Sequence, residues 1–509
     1  MIFENNLLML LLWILFVNPV FATSFENVTT NVGIDAPHAS NKMSTGIAAA
    51  DFDNNGYVDL FLTGYSLDSK LYFNDGQGYV ENSQFIMPDF SNERCGSVSA
   101  ADFDNDGWQD IYVACWGNNF LLHNQQGNGF IDMTSSSGTD HPERTEAVSW
   151  GDLNNDGLLD LVLGVIPRSG NPDLNDPNNL DHVFFNNGDL TFTDVYSVLN
   201  PIEISRSTLA LVLTDIDMDN DLDIYFANDK HEINVMLRND GSGCGGWCFT
   251  NVAETQGSDH SAYSMGVAIG DYDNDLDWDI SYSSIDEHIL LQNTGTAVLP
   301  EYQSVAHSAG VNISTGYGWG TMLFDVNNDG WEDLYLTTTG GVPTSVSNFL
   351  FENNQNGTFS DATQISGVVD ELPAQGAAWL DYNLDGKLDI VIGRYNLSYQ
   401  LLKNSTVNNA HWLGFKLRGG ADISRDAIGA KVTITDSAGL SQMRELRAGE
   451  SRGSSNEKIL HFGLSNETNI SADIIWPSGY QQHLENIPVD QYIQLVYPIY
   501  DQIFSSQFE

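Results

Sequence analysis

An acidic ten-residue phrase recurs seven times in this chain, with a carboxylate or amide at its first, third, fifth and ninth positions and an aliphatic tenth residue. The copies are DFDNNGYVDL from Asp51, DFDNDGWQDI from Asp102, DLNNDGLLDL from Asp152, DIDMDNDLDI from Asp215, DYDNDLDWDI from Asp271, DVNNDGWEDL from Asp325 and DYNLDGKLDI from Asp381, starting 51, 50, 63, 56, 54 and 56 residues apart. Hard oxygen donors at alternate positions of a tightly turned backbone converge on one Ca²⁺, and a final bidentate carboxylate closes the shell. The expected ligands are Asp51, Asp53, Asn55 and Asp59 in the first loop; Asp102, Asp104, Asp106 and Asp110 in the second; and Asp152, Asn154, Asp156 and Asp160 in the third. Those of the fourth are Asp215, Asp217, Asp219 and Asp223, and those of the fifth Asp271, Asp273, Asp275 and Asp279. The sixth offers Asp325, Asn327, Asp329 and Asp333, and the seventh Asp381, Asn383, Asp385 and Asp389. Twenty-four of the twenty-eight are Asp, and the four Asn keep an oxygen donor while dropping a charge.

An EF-hand shares the opening pattern but needs Glu at its twelfth position and flanking helices. Position twelve here reads Leu62, Val113, Leu163, Phe226, Tyr282, Leu336 and Ile392, within β-rich runs such as LFLTG, IYVAC and IVIGR. Thrombospondin-type repeats are denser and carry Cys, and the glycine-rich nonapeptide is absent. A strand, calcium loop, strand hairpin remains. Small and apolar runs precede each loop, as in GIAAADFD and QGAAWLDYN. A third strand ending in Asn follows (LYFNDGQG, LLHNQQGNG, LLQNTG), and then a fourth such as GYVENS or TFSDAT. Four antiparallel strands per repeat make a propeller blade. The seventh repeat stops at Asn404, and Phe25-Glu-Asn-Val-Thr matches its missing fourth strand, so the expectation is an all-β, seven-bladed propeller closed by its own N-terminal strand.

These phrases, in register seven times, resemble the FG-GAP/VCBS repeats of integrin α-type β-propellers, and more closely the cartilage-acidic-protein-like chains that add an ASPIC/UnbV domain. The resemblance covers nearly the whole mature chain. It implies that the side chains at positions one, three, five and nine, with a backbone carbonyl at position seven, hold about seven Ca²⁺ ions. The runs HWLGFKLRGG, AKVTITD, KILHFGL and ADIIWPSG resemble the ASPIC/UnbV domain, for which a small β-sandwich is expected. The implied boundaries are a signal peptide over 1–22, a propeller over 23–406, the second domain over 407–500 and a tail over 501–509.

A formal charge of −50 excludes a general nucleic-acid binder and disfavours anionic membrane. Residues 407–500 carry ten acidic and eight basic side chains, so the repeats hold almost all the excess. The apolar run Leu7–Val17 and the Val20-Phe21-Ala22 end read as a signal cleaved after Ala22; its n-region lacks Lys and Arg, which leaves a retained anchor as the alternative. No other stretch reaches a membrane span. Cys95 and Cys115 flank the second loop almost symmetrically and are expected to form a cross-strand disulfide; Cys244 and Cys248 are expected to close a small turn. Both fit a secreted, extracellular protein, or a periplasmic one if bacterial.

Gly449-Glu-Ser451-Arg-Gly453 matches the nucleophile elbow, but no helix is expected after it and the region is β-rich, so catalysis by Ser451 is rejected. None of the eleven His has zinc spacing. The reading is a calcium-loaded extracellular binding or adhesion module whose partner is a protein or an acidic glycan; a propeller-scaffolded hydrolase or lyase and a matrix component are the alternatives. Oligomeric state is not set by the sequence. Strand alternation places the calcium loops on one face and the longer connections on the other. Lys42, Lys70, Arg94, Arg144, Arg168, Arg206, Lys230 and Arg394 map to the second face, where Arg94, Arg144, Arg168, Arg206, Lys230 and Arg394 are candidate ligands for an anionic partner.

Overall fold

In this computed structural model the described residues are 23–34, 45–82, 85–141, 144–167, 179–195, 207–243, 246–285, 287–313, 316–340, 348–369, 372–395 and 397–497. The expected signal segment, the tail, Lys42, Arg168, Arg206 and Cys244 lie outside them. No helix among the described residues is long and apolar enough to cross a membrane.

The chain is all-β. Its repeats form seven four-stranded antiparallel sheets, each numbered below by the acidic loop it carries between its first and second strands. The second is representative, with strands Cys95–Ala101, Asp110–Cys115, Phe120–Asn124 and Phe130–Asp132. Its first strand is buried throughout and its fourth only at the first residue. Cys95 pairs with Cys115 across its first two strands and is disulfide-bonded to it. Cys248 is also disulfide-bonded.

The seventh sheet is completed from the other end of the chain. Phe25–Asn27 pairs antiparallel with Gln400–Asn404, with Phe25 opposite Asn404 and Asn27 opposite Leu402. First strands of successive sheets touch one another, and that of the seventh, Ala374–Leu380, touches that of the first, Ile47–Ala50. Apolar clusters fill the interfaces, including the one between the seventh and first sheets, where Ala378, Val391 and Leu401 meet Ala49, Leu60 and Tyr72. The order of contacts is therefore cyclic.

Residues from His411 onward form two further sheets. His411–Arg418 lies between Leu460–Ser465, antiparallel to it, and Gln491–Val496, parallel to it. Ser441–Glu445, Lys431–Thr435, Ile470–Ile475 and Gln481–Ile487 form the other. Leu413, Phe415, Val432, Ile434, Phe462, Ile474 and Trp476 fill one core between them, giving the two-sheet arrangement expected of a sandwich.

This unit inserts the segment 448–456 among the first strands of the repeat sheets. Trp150 N–H donates to Ala448 O (3.2 Å), Ser451 N–H to Val267 O (2.6 Å), Val98 N–H to Gly453 O (3.1 Å) and Ala49 N–H to Ser455 O (3.0 Å). Trp379 N–H donates to Asn456 Oδ1 (2.9 Å), and Arg452 Nη1 to Leu209 O (3.2 Å). On the sixth sheet, a Cβ at Gly320 would lie 2.7 Å from Gln375 O of the seventh sheet's first strand and 3.0 Å from Ser451 Oγ, so glycine there gives room both to the neighbouring strand and to the segment. One short segment thus touches all seven first strands.

Candidate metal centres

Each acidic loop is shaped by two left-handed residues. The fourth position has φ of 56° at Asn54, 61° at Asn105, 55° at Asn155, 59° at Met218, 57° at Asn274, 59° at Asn328 and 57° at Leu384. Position six is left-handed too, at Gly56, Gly107, Gly157, Gly330 and Gly386, and also at Asn220 (72°) and Leu276 (69°). Asn and Gly carry the least penalty there. These turns aim the N–H groups of positions five and six back at the first carboxylate: in the first loop Asn55 N–H lies 3.0 Å from Asp51 Oδ1 and Gly56 N–H 2.8 Å from Asp51 Oδ2. The sixth-position contact recurs in every loop, up to 3.3 Å for Leu276 to Asp271.

The ninth-position Asp is fully buried in all seven loops. Its Oδ2 accepts the N–H of the loop's second residue, as in Phe52 to Asp59 at 2.8 Å. Its Oδ1 accepts the N–H of the Asn that ends the third strand, as in Asn74 to Asp59 at 2.7 Å. The sequence placed that Asn only at the end of the third strand, and it does more. Asn74 Nδ2 donates to Val58 O (3.2 Å) in its own sheet and to Tyr382 O (2.7 Å) in the seventh, and Asn124, Asn186, Asn239, Asn353 and Asn404 make the same pair of bonds. Each fixes the height of one loop against its neighbour.

Ligand atoms of three carboxylates lie within 4.8 Å of one another in four loops: Asp51, Asp53 and Asp59; Asp102, Asp104 and Asp110; Asp215, Asp217 and Asp223; Asp271, Asp273 and Asp279. In the third, sixth and seventh loops the second donor is an amide, Asn154, Asn327 or Asn383. Burial pushes the ninth-position carboxyls well above the usual range, Asp59 to about 8, and the neighbouring loop carboxylates add to it. Asp102 Oδ1, Asp217 Oδ1, Asp273 Oδ1 and Asn383 Oδ1 are buried with no hydrogen-bond donor facing them among the described residues. An oxygen-only set with crowded charges and orphaned oxygens fits a hard divalent cation such as Ca²⁺.

The C-terminal unit sits on this loop face. Arg425 Nε lies 3.6 Å from Asp102 Oδ2, Lys431 pairs with Asp215, and Arg444 Nε lies 3.1 Å from Glu332 Oε1. Tyr492 OH donates to Asp381 Oδ2 (2.5 Å), and Glu457 Oε2 accepts the Asp381 N–H (2.9 Å). The near-neutral composition of this unit concealed that its cations gather on one side.

Among the candidate ligand-binding cations on the opposite face, Arg94 and Lys230 are exposed. Lys230 Nζ donates to Ser207 Oγ (2.7 Å) and Arg394 Nε to Ser398 O (2.9 Å). Arg144 is engaged within the protein: its guanidinium lies 3.7 Å above the Trp116 ring and pairs with Glu146, which also pairs with buried Arg452. Burial pushes the Glu146 carboxyl up, but Arg144 and Arg452 outweigh it and hold the group below its usual range. Ser451 is 1 % exposed, inside the inserted segment, and a strand, Leu460–Ser465, follows it rather than the helix a nucleophile elbow requires.

The FG-GAP-like repeat family matches residues 51–113, 102–163, 215–281 and 325–392, and the ASPIC and UnbV family matches 420–500. Each repeat match begins on an acidic phrase and spans two of them. The chain is 37% identical to cartilage acidic protein 1 of Homo sapiens over 100 residues, 19% of this chain and 14% of that protein. It is 31% identical to the Mus musculus protein over 153 residues, 30% of this chain and 21% of that one. The chain thus spans about a fifth or less of the curated relatives it matches. A chain in the crystal structure of BBS1N in complex with ARL6DN, soaked with lead, aligns at TM-score 0.46 and 9% identity over 76% of this chain and 99% of that one, too distant to carry an argument. With all seven acidic phrases inside repeat matches and a separate match behind them, this chain is an FG-GAP-repeat protein with a C-terminal ASPIC and UnbV domain.

Proposed function

We propose that this protein is an exported, calcium-loaded, seven-bladed β-propeller that serves as an extracellular binding or adhesion module, with an acidic glycan or a protein as partner. The observation that carries the reading is the oxygen-only loop repeated once per sheet, with a buried, doubly hydrogen-bonded carboxylate at its ninth position. Seven four-stranded sheets in cyclic contact support the propeller. Bound Ca²⁺ would supply charge neutralisation, and the loop residues would hold it through the positions given above. Export is supported by the N-terminal apolar segment and by the Cys95–Cys115 disulfide.

The C-terminal domain covers the loop face, which leaves the opposite face for a partner. Arg94 and Lys230 are the exposed described cations among the candidates there. Calcium-loaded protein probed on a glycan and protein array should retain a specific partner at physiological salt, and Arg94→Ala with Lys230→Ala should weaken retention of an acidic glycan in low salt without changing calcium binding. Equal retention by variant and parent would remove the acidic-glycan reading.

A further inference from the structure

We infer that the residue immediately before the inter-sheet Asn on the third strand sets the calcium affinity of its own loop, and that it ranks the sixth loop above the seventh. This inference rests on the calcium reading above. The position is occupied in turn by Phe73, His123, Phe185, Arg238, Gln292, Glu352 and Lys403, half-buried each time and followed each time by a buried Asn. None of these residues belongs to the expected ligand set, yet the strand register aims the position at the loop. Gln292 Nε2 donates to Asp273 Oδ2 at 2.6 Å, His123 Nε2 lies 3.0 Å from Asp104 Oδ2, and Lys403 Nζ lies 3.7 Å from Asp385 Oδ2. Gln292, His123 and Lys403 therefore reach a loop carboxylate, whereas Arg238 pairs with Asp240 (2.6 Å) beside its loop.

The sixth and seventh loops share one ligand set, although the seventh also has Tyr492 OH on Asp381 Oδ2 and the sixth has Glu332 at its eighth position. Both present Asp, Asn, Asp and Asp at the four ligand positions. They differ at the third-strand position, where the sixth has Glu352 and the seventh Lys403. Glu352 Oε1 is buried with no hydrogen-bond donor facing it among the described residues, the state of a carboxylate awaiting a cation. Lys403 instead places a positive charge against a ligand oxygen, which an incoming divalent ion must then share. A second lysine of the seventh loop, Lys387, is turned away and donates to Thr406 O at 2.7 Å. Affinity in oxygen-ligated sites follows ligand charge count, and a unit charge a few ångströms from a divalent ion shifts its dissociation constant by about ten-fold.

The test is calcium titration of the full chain in competition with a chromophoric chelator, comparing the parent with Lys403→Glu and Glu352→Lys. Lys403→Glu should tighten one equivalent at least about ten-fold, and Glu352→Lys should weaken a tighter one by a similar factor. Lys403→Gln and Glu352→Gln should give the same directions at smaller size, and they keep the comparison usable if a charge reversal does not fold. Unchanged affinities in folded variants that still bind calcium would overturn the inference and leave the calcium reading standing. If neither parent nor variants bind calcium, it is the calcium reading that fails.

Discussion

Arg452 is the side chain on which the seating of the C-terminal domain most depends. It is 1 % exposed; Nη1 donates to Glu146 O (2.9 Å) and Leu209 O (3.2 Å), and Nη2 pairs with the Glu146 carboxylate. Arg452→Met keeps the stem and removes these bonds. Breaking a buried ion pair by removing one partner costs about 3–5 kcal/mol. Glu146 would keep Arg144 and the Trp116 indole, so the lower end applies, about 3 kcal/mol. At roughly 1.4 kcal/mol per decade, that multiplies the undocked population about a hundred-fold. Limited proteolysis in saturating calcium reads this directly, because cleavage between the domains follows the open population when reclosing is fast. Arg452→Met should be cut far faster than the parent near residues 405–410, with Arg144→Met much less affected because that side chain is half-exposed. Equal cleavage of Arg452→Met and parent, with folding intact by circular dichroism, would refute the docked arrangement.

Calcium-free protein should lose stability as pH rises. Its loop carboxyls have folded pKa values raised by burial to about 6 at Asp152 and Asp381, about 7 at Asp325 and about 8 at Asp59 and Asp102, so the folded state holds protons that the unfolded chain has released. That stability is complete below about pH 4 and is lost through the window from about 4 to 8, where calcium gains its ionised ligands. The melting-temperature gap between calcium-loaded and calcium-free protein should therefore widen from pH 5 to pH 8, and a constant gap would contradict it. Leu276 holds φ 69° where five loops have Gly, so Leu276→Gly should tighten calcium binding in the fifth loop and relieve about 1–2 kcal/mol of left-handed strain, measured by denaturant titration; looser binding would count against it. Asn74→Ala removes the bond to Tyr382 O that ties the first sheet to the seventh, together with the bond to Val58 O in its own sheet, and should destabilise the protein by about 2–4 kcal/mol; a change under 0.5 kcal/mol would show that this seam does not depend on them.

Local chemistry made much of the architecture legible. Alternating Asp with a glycine at position six announced the loops, the β-branched and aromatic runs announced the strands, and Phe25-Glu-Asn matched a missing edge because it repeats the chemistry of the other fourth strands. Cys95 and Cys115 were readable as a pair because hairpin register puts residues equidistant from a loop opposite each other. What stayed hidden depends on contacts between repeats or between domains. The left-handed fourth position was signalled by Asn in five loops, but Met218 and Leu384 concealed its generality. The third-strand Asn looks like a turn former until its amide is seen bridging two sheets. Short helices such as Thr134–Ser137, ended by Gly138 at φ 81°, follow several fourth strands and carry too few residues for a periodic signal. The insertion of 448–456 leaves no mark either, since Gly449, Ser451 and Gly453 read locally as a polar loop, and only the seven surrounding strands make it a buried segment.

The most direct test is the number of calcium ions held by the full chain, counted by titration of metal-free protein or by native mass spectrometry. One ion per acidic loop predicts about seven per chain, with melting temperature rising as the loops fill. A chain that binds none or one, and melts identically in calcium and in excess chelator, would contradict the account.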